Sequence, residues 1–300
     1  MAVPAMRQVH FYKAHSRIGL TNAPIRQTDL NTGVEEGAEA VLTESFLSAF
    51  PEHELNEFSF SDPEKIDKDQ YWKVLAKELS DFKNLINSTL KQDQTQLVIG
   101  GDNTVTFSSL SALIERVGRT EEIGYIQFDS HGEMHRYGTS LSKNFHGMYM
   151  RPFFDTFDIP EIEQLVSKKL KSSQAFAIGD ITFDGEKSEE EEFFKQNIRD
   201  VTREEFLNNR ISVRKEFEGF CKSFKYLHIN FDVDVFDRAV AGATGIPEDG
   251  KWLTDEVMDL IKIIAQNPNL SIDISELNPK RPGAEQTIIL AQKLLTELLA

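Results

Sequence analysis

Short apolar runs alternate along this chain with longer stretches whose apolar residues recur every three or four positions. The first pattern predicts buried strands and the second amphipathic helices. Val9 to Leu20 contributes a first strand, Asn22 to Gly37 is polar and turn-rich, and Ala38 to Phe50 reads as a helix. Ser61-Asp62-Pro63 supplies an N-cap and a proline at a first helical position. Behind it Trp72, Leu75, Leu79, Phe82, Ile86 and Leu90 form one apolar stripe. Further strands are predicted at Leu97–Ile99, Gly124–Phe128, Ala175–Ile178, Tyr226–Phe231 and Leu270–Ile274. Helices are predicted at Phe107–Val117, Phe217–Phe224, Leu253–Ala265 and Glu285–Leu299, and Thr202 with Glu205 forms a capping box for another. Strands alternating with helices in this way specify an α/β protein, a three-layer α/β/α stack around a mostly parallel sheet. No linker-like or repetitive stretch divides residues 1–300, so a single domain is expected.

Composition narrows the partners. A formal net charge of -16 without a basic patch excludes nucleic acid and favours a small cationic ligand. The lone cysteine, Cys221, falls in a helical stretch as a core residue and fits a reducing compartment. No leader and no membrane-spanning run is visible, so a soluble cytoplasmic protein is expected. The acidic run Glu186 to Glu192 reads as a solvated helix start or surface loop.

The chemistry gathers at strand ends. Gly124–Phe128 runs into Asp129-Ser130-His131-Gly132-Glu133, and Tyr226–Phe231 runs into Asp232-Val233-Asp234. An isolated pair of alternating aspartates is ordinarily a solvated strand end. Two such pairs in one chain, one of them with a histidine, point instead to a shared cation, because unpaired carboxylates at that spacing repel. Gly100-Gly101-Asp102-Asn103-Thr104 is too short for a phosphate loop and lacks its lysine. With Asp180 and Glu276 these residues all lie at C-terminal strand ends, where open α/β sheets gather ligands.

Taken in order, the motifs resemble the ureohydrolase family of arginases, agmatinases and formiminoglutamases. The resemblance runs from Gly33-Val34-Glu35-Glu36-Gly37 to Glu276-Leu277-Asn278-Pro279. It implies an arginase-like fold and a centre of Mn2+ ions. Asp129 and Asp232 match the bridging aspartates, and His131 and Asp234 match the remaining ligands of one ion. For the other ion Asn103 stands where the family has histidine and Glu133 where it has aspartate, so that ion is expected to be weakly held or absent. Asn144-Phe145-His146-Gly147 resembles the motif whose asparagine touches substrate and whose histidine shuttles protons. Glu276 matches the carboxylate that holds the planar cationic group under attack. Asp184 matches an acidic substrate contact, and Thr244 belongs to a loop, Ala241 to Pro247, that keeps only part of the family pattern.

What the resemblance implies is a hydrolase that splits the C–N bond of a small guanidino or formimino substrate, working as a homo-oligomer. Asn103 and Glu133 motivate an alternative, a catalytically inactive relative acting as a ligand-binding or regulatory protein. The Glu276–Pro279 exit is nearer the formiminoglutamase branch and Gly33–Gly37 nearer the arginases, so the substrate stays open.

Overall fold

The computed structural model describes residues 7–21, 31–183, 187–249 and 251–300. Among these residues run eight strands, β1 (Val9–His15), β2 (Glu54–Ser59), β3 (Thr95–Ile99), β4 (Ile123–Phe128), β5 (Ala175–Ile178), β6 (Arg199–Val201), β7 (Tyr226–Asp232) and β8 (Leu270–Ser275). They form one sheet in the order β2-β1-β3-β8-β7-β4-β5-β6, and each adjacent pair is parallel. After β3 the chain passes over two places to β4, and β7 and β8 later fill the gap. All the predicted ligands belong to the ends of these central strands.

The helices are α1 (Gly37–Val41), α2 (Glu44–Leu47), α3 (Tyr71–Thr89), α4 (Thr104–Val117), α5 (Pro160–Glu163), α6 (Lys187–Gln196), α7 (Arg203–Ser223), α8 (Thr254–Ile264) and α9 (Ala284–Leu299). Because strand side chains alternate in direction, β1, β3, β4 and β5 each feed two cores. Phe11, Ile99, Phe128 and Phe231 face α1, α7, α8 and α9. Tyr12, Val98 and Tyr125 face α3, α4 and the segment around Phe145–Leu170. Three layers result. Cys221 is buried in the first of these cores, and no helix among the described residues is long and apolar enough to cross a membrane.

Several local expectations change. The helix predicted over 38–50 is two short helices, because Leu42 leaves the helical region and Thr43 caps a new start by accepting from Phe46 N. Asp62 and Pro63 open only a 3-10 turn, and the long helix begins at Tyr71. Thr202 does cap α7, accepting from Glu205 N, but the Glu205 carboxylate turns to Arg199 rather than back to the cap. The stretch 217–224 is the end of α7 with its C-cap at Phe224, and α7 itself is two helical segments joined at a kink at Asn209.

The segment between β4 and β5 is anchored by Arg151, whose fully buried guanidinium donates to Met134 O (3.1 Å), Thr156 O (3.0 Å), Asp155 Oδ2 (3.0 Å) and Glu192 Oε2 (2.9 Å). Removing it strands those acceptors. Arg151→Ala is expected to cost about 3–5 kcal/mol in urea unfolding, and Arg151→Lys most of that, since a point charge cannot reproduce the fork.

A second prediction concerns pH. Burial, then the Asp180 charge, pushes the Asp200 carboxyl up to about 7; Glu205 adds to the rise, while Arg199 and Lys251 oppose it. Its Oδ1 has no hydrogen-bond partner among the described residues. A carboxyl raised by folding contributes stability that is complete below its unfolded range, near 3.8, and is lost as pH climbs to about 7. Asp200→Asn is therefore expected to stabilise the protein at pH 8, by on the order of 1–2 kcal/mol given the residue's partial exposure, with no gain near pH 4.

Candidate metal centre

The two ligand pairs owe their shape to turns rather than to strand alternation. Phe128 and Phe231 pair across β4 and β7 with their rings stacked at 4.1 Å, which sets Asp129 beside Asp232 at the sheet edge. Each aspartate then folds its own chain: Asp129 Oδ1 accepts from His131 N at 2.8 Å, and Asp232 Oδ1 accepts from Asp234 N at 2.9 Å. Aspartate side chains form such turns readily. The same construction thus swings His131 and Asp234 back over the sheet end. Ser130 locks the two together, its N donating to Asp234 Oδ1 (3.1 Å) and its Oγ to Asp234 O (2.8 Å).

Two clusters follow. Asp129, His131 and Asp234 bring ligand atoms within 4.8 Å of one another, and so do Asp129, Glu133 and Asp232; Asp129 is common to both. His131 Nδ1 lies 3.0 Å from Asp234 Oδ2 and 3.7 Å from Asp129 Oδ1. Buried His131 Nε2 and Glu133 Oε2 have no hydrogen-bond partner among the described residues. Glu133 also adopts a left-handed backbone, φ 55°, as do Asn31 (φ 50°) and Glu276 (φ 61°) of the same cleft. Non-glycine residues in that region are strained, and such strain concentrates at working sites.

The charges are unbalanced. Burial, then the Asp234 charge, raises the Asp129 carboxyl to about 6. Burial raises Glu133 and Asp232 further, helped by the Asp129 charge at Glu133 and the Asp234 charge at Asp232. Burial opposes charge on His131 as well, but Asp234 and Asp129 outweigh it and hold the imidazole pKa well above its ordinary value. Four buried carboxylates against one imidazole is a cation-seeking set. Carboxylate oxygens with one imidazole suit a hard to borderline divalent ion such as Mn2+. The cluster at His131 fits one outright. The cluster at Glu133 offers three carboxylates, but the Asn103 amide beside it presents N–H to Asp232 Oδ2 at 2.7 Å.

Glycines make the approach possible. A Cβ on Gly179 would lie 1.8 Å from Asp129 O, and one on Gly101 would lie 1.7 Å from Ser16 O. With Gly101 pressed there, Asp102 is held by Ser16 Oγ (2.8 Å) and Gly19 N (2.6 Å).

The remaining predicted residues line one cleft of about 830 Å³, open solvent at its mouth included, with Asn144, His146, Thr244 and Glu276 in its wall. Glu276 Oε1 takes Asn103 N (3.0 Å) and stands 3.2 Å from His146 Nδ1, while Oε2 accepts from Asn31 Nδ2 (3.2 Å). Against the cost of burial, Glu276 raises the His146 pKa. Asn144 Oδ1 is engaged by Thr21 N at 3.0 Å. Asp184 lies outside the described residues.

One member of the cleft, and one residue buried behind it, were hidden in the sequence. Glu189, from the acidic run assigned to a solvated surface, is buried and faces inward from α6, with Oε1 on Met134 N (3.1 Å) and Oε2 3.0 Å from His135 Nε2. Its neighbour Glu190 is exposed. Only the helical face distinguishes them. Ser275, at the last position of β8, donates its hydroxyl to Asn103 Oδ1.

A parallel α/β sheet whose central strand ends gather buried carboxylates around one cleft is an arrangement suited to a divalent cation. The chain belongs to the arginase family, whose pattern it matches over residues 16–300. It is 24% identical over 304 residues to an arginase of Staphylococcus aureus, covering 94% of this chain and 98% of that one. It is 27% identical over 216 residues to the formimidoylglutamase of Bacillus subtilis, covering 69% of this chain and 61% of that protein. The crystal structure of Entamoeba histolytica arginase in complex with L-ornithine superposes with a TM-score of 0.81 at 18% identity, covering 98% of each chain. The family places the chain among hydrolases of guanidino and amidino C–N bonds.

Proposed function

We propose that this protein hydrolyses the C–N bond of a small cationic guanidino or formimino compound at a Mn2+ centre. The observation that carries the reading is the pair of ligand clusters sharing Asp129 beneath an open cleft. Asp129, His131 and Asp234 would hold the ion beside Asp232, with a further position at Glu133 and Asp232 weakened by Asn103. A divalent cation held there would supply activation of water as a nucleophile at neutral pH. The protein's own residues do the rest. Glu276 sets negative charge beside the planar cationic group and turns His146 into the cleft. His146, kept protonated to higher pH by that carboxylate, delivers a proton to the departing amine. Asn144 and Thr244 contact the substrate, as Asp184 does by resemblance. The cleft's surplus of carboxylates and the net charge of -16 favour a cationic group over an anion.

We place the protein in the cytoplasm as a homo-oligomer, a state that light scattering on the purified chain reads directly. The functional test is a panel of arginine, agmatine, guanidinobutyrate and formiminoglutamate, assayed for urea, ammonia and formamide after Mn2+ loading. Turnover of one member well above the others supports the reading. No product from any of them selects the alternative of a ligand-binding or regulatory relative.

A further inference from the structure

The second half of the centre is closed from behind by a hydrogen-bonded chain that no ligand motif describes. Asn103 is buried at the start of α4, and both ends of its amide are engaged by protein. Nδ2 donates to Asp232 Oδ2 at 2.7 Å, and Oδ1 accepts from the Ser275 hydroxyl. Ser275 Oγ also lies 3.3 Å from Phe231 O and 3.4 Å from Asn230 Nδ2. The Asn230 amide is pinned in turn, donating to Thr106 Oγ1 (2.8 Å) and accepting from the Tyr149 hydroxyl (3.0 Å), which meets the Tyr125 hydroxyl at 3.0 Å. Every side chain in this path is buried.

The orientation of Asn103 has a chemical consequence. With N–H toward Asp232, the amide satisfies a carboxylate oxygen with a neutral donor. Turned over, it would set oxygen against oxygen, which is repulsive unless a cation lies between them. An N–H aimed at the carboxylates and a divalent ion beside it are therefore alternatives. Asp232 already takes Asp234 N on its other oxygen, so the amide completes its restraint without a second ion.

We infer that Asn103 is a positioning residue that takes over the second ion's hold on Asp232, so that the centre keeps one tightly bound divalent cation, at Asp129, His131 and Asp234. The inference rests on the reading of the cleft as a cation-binding centre. It moves Asn103 from weak ligand to hydrogen-bond donor. It also gives the buried path through Ser275 and Asn230 a purpose: holding the amide's oxygen away from the ion.

The test is Mn2+ titration of the chelator-stripped full-length protein, followed by equilibrium dialysis and electron paramagnetic resonance. The wild type is expected to bind one ion tightly, with a six-line spectrum free of spin coupling, and any second ion on the order of 100-fold more weakly. Asn103→Asp, which replaces the N–H donor by an oxygen at nearly unchanged shape, is expected to bring in a second ion and a coupled spectrum. Two ions of similar affinity in the wild type would overturn the inference, and so would a folded Asn103→Asp that still binds one. A one-ion protein with no turnover on the panel would overturn the hydrolase reading and leave this one standing. Two coupled ions with turnover would do the reverse.

Discussion

Replacing His146 by alanine is expected to lower kcat on the preferred substrate by roughly 10²–10⁴, with KM and Mn2+ uptake little changed. The residue sits on the 3-10 turn Phe145–Gly147, in the cleft wall and in neither ligand cluster. What holds it is Glu276, 3.2 Å from Nδ1. Its loss should fall on the proton-transfer step rather than on cation binding. Glu276→Gln gives a second handle on the same group. Burial alone would lower the His146 pKa, and it is the Glu276 hydrogen bond and charge that raise it. With a neutral amide in that place the alkaline limb of the pH–rate profile should move to lower pH. A His146→Ala protein with a kcat within about twofold of wild type would remove this residue from the proton path.

The other large effect is expected at Asp129, the one side chain common to both clusters. Asp129→Ala should abolish tight Mn2+ binding and reduce turnover by roughly 10³-fold or more. The same substitution should leave the metal-free protein as stable as the wild type or more so. Asp129 is fully buried among like charges, and deleting a carboxylate from such a set relieves desolvation and repulsion. Thermal melts with and without Mn2+ separate the two outcomes. The wild type should gain a large metal-dependent increase in Tm, and Asp129→Ala should gain none. A metal-dependent shift that survives the substitution would place the ion elsewhere.

The sequence showed what is local and apolar. The central strands β3, β4, β7 and β8 are buried on both faces; β3 and β4 carry short apolar runs and β7 and β8 alternate apolar with buried polar residues, so the parallel sheet and the strand ends that carry the candidate ligands could be predicted. The edge strands could not. In β2, Glu54, Asn56 and Glu57 interrupt the pattern because half the strand is exposed, and β6 has only Arg199, Asp200 and Val201. The candidate ligand pairs were visible because Asp129 with His131, and Asp232 with Asp234, repeat at one spacing. Their convergence comes from a pair of aspartate-capped turns rather than from strand alternation.

Contacts between distant positions left no such trace. Asn103 meets Asp232 across 129 residues and Ser275 across 172, so sequence identified Asn103 as a departure from the family pattern without showing which way its amide faces. Glu189 was masked by its acidic neighbours, since a charge run carries no mark of the one member that turns inward. The helix boundaries that shifted are at Thr43, which caps a second helix inside the predicted one, and at Tyr71, because Asp62 caps a 3-10 turn instead.

The central claim is that a divalent cation held at Asp129, His131 and Asp234, beside Asp232, serves C–N bond hydrolysis. Its most direct test compares chelator-stripped and Mn2+-reloaded protein, at matched concentration, for urea, ammonia and formamide release. The account predicts product only after reloading, rising in proportion to bound ion. Equal turnover in both samples, or full loading without any turnover, would contradict it.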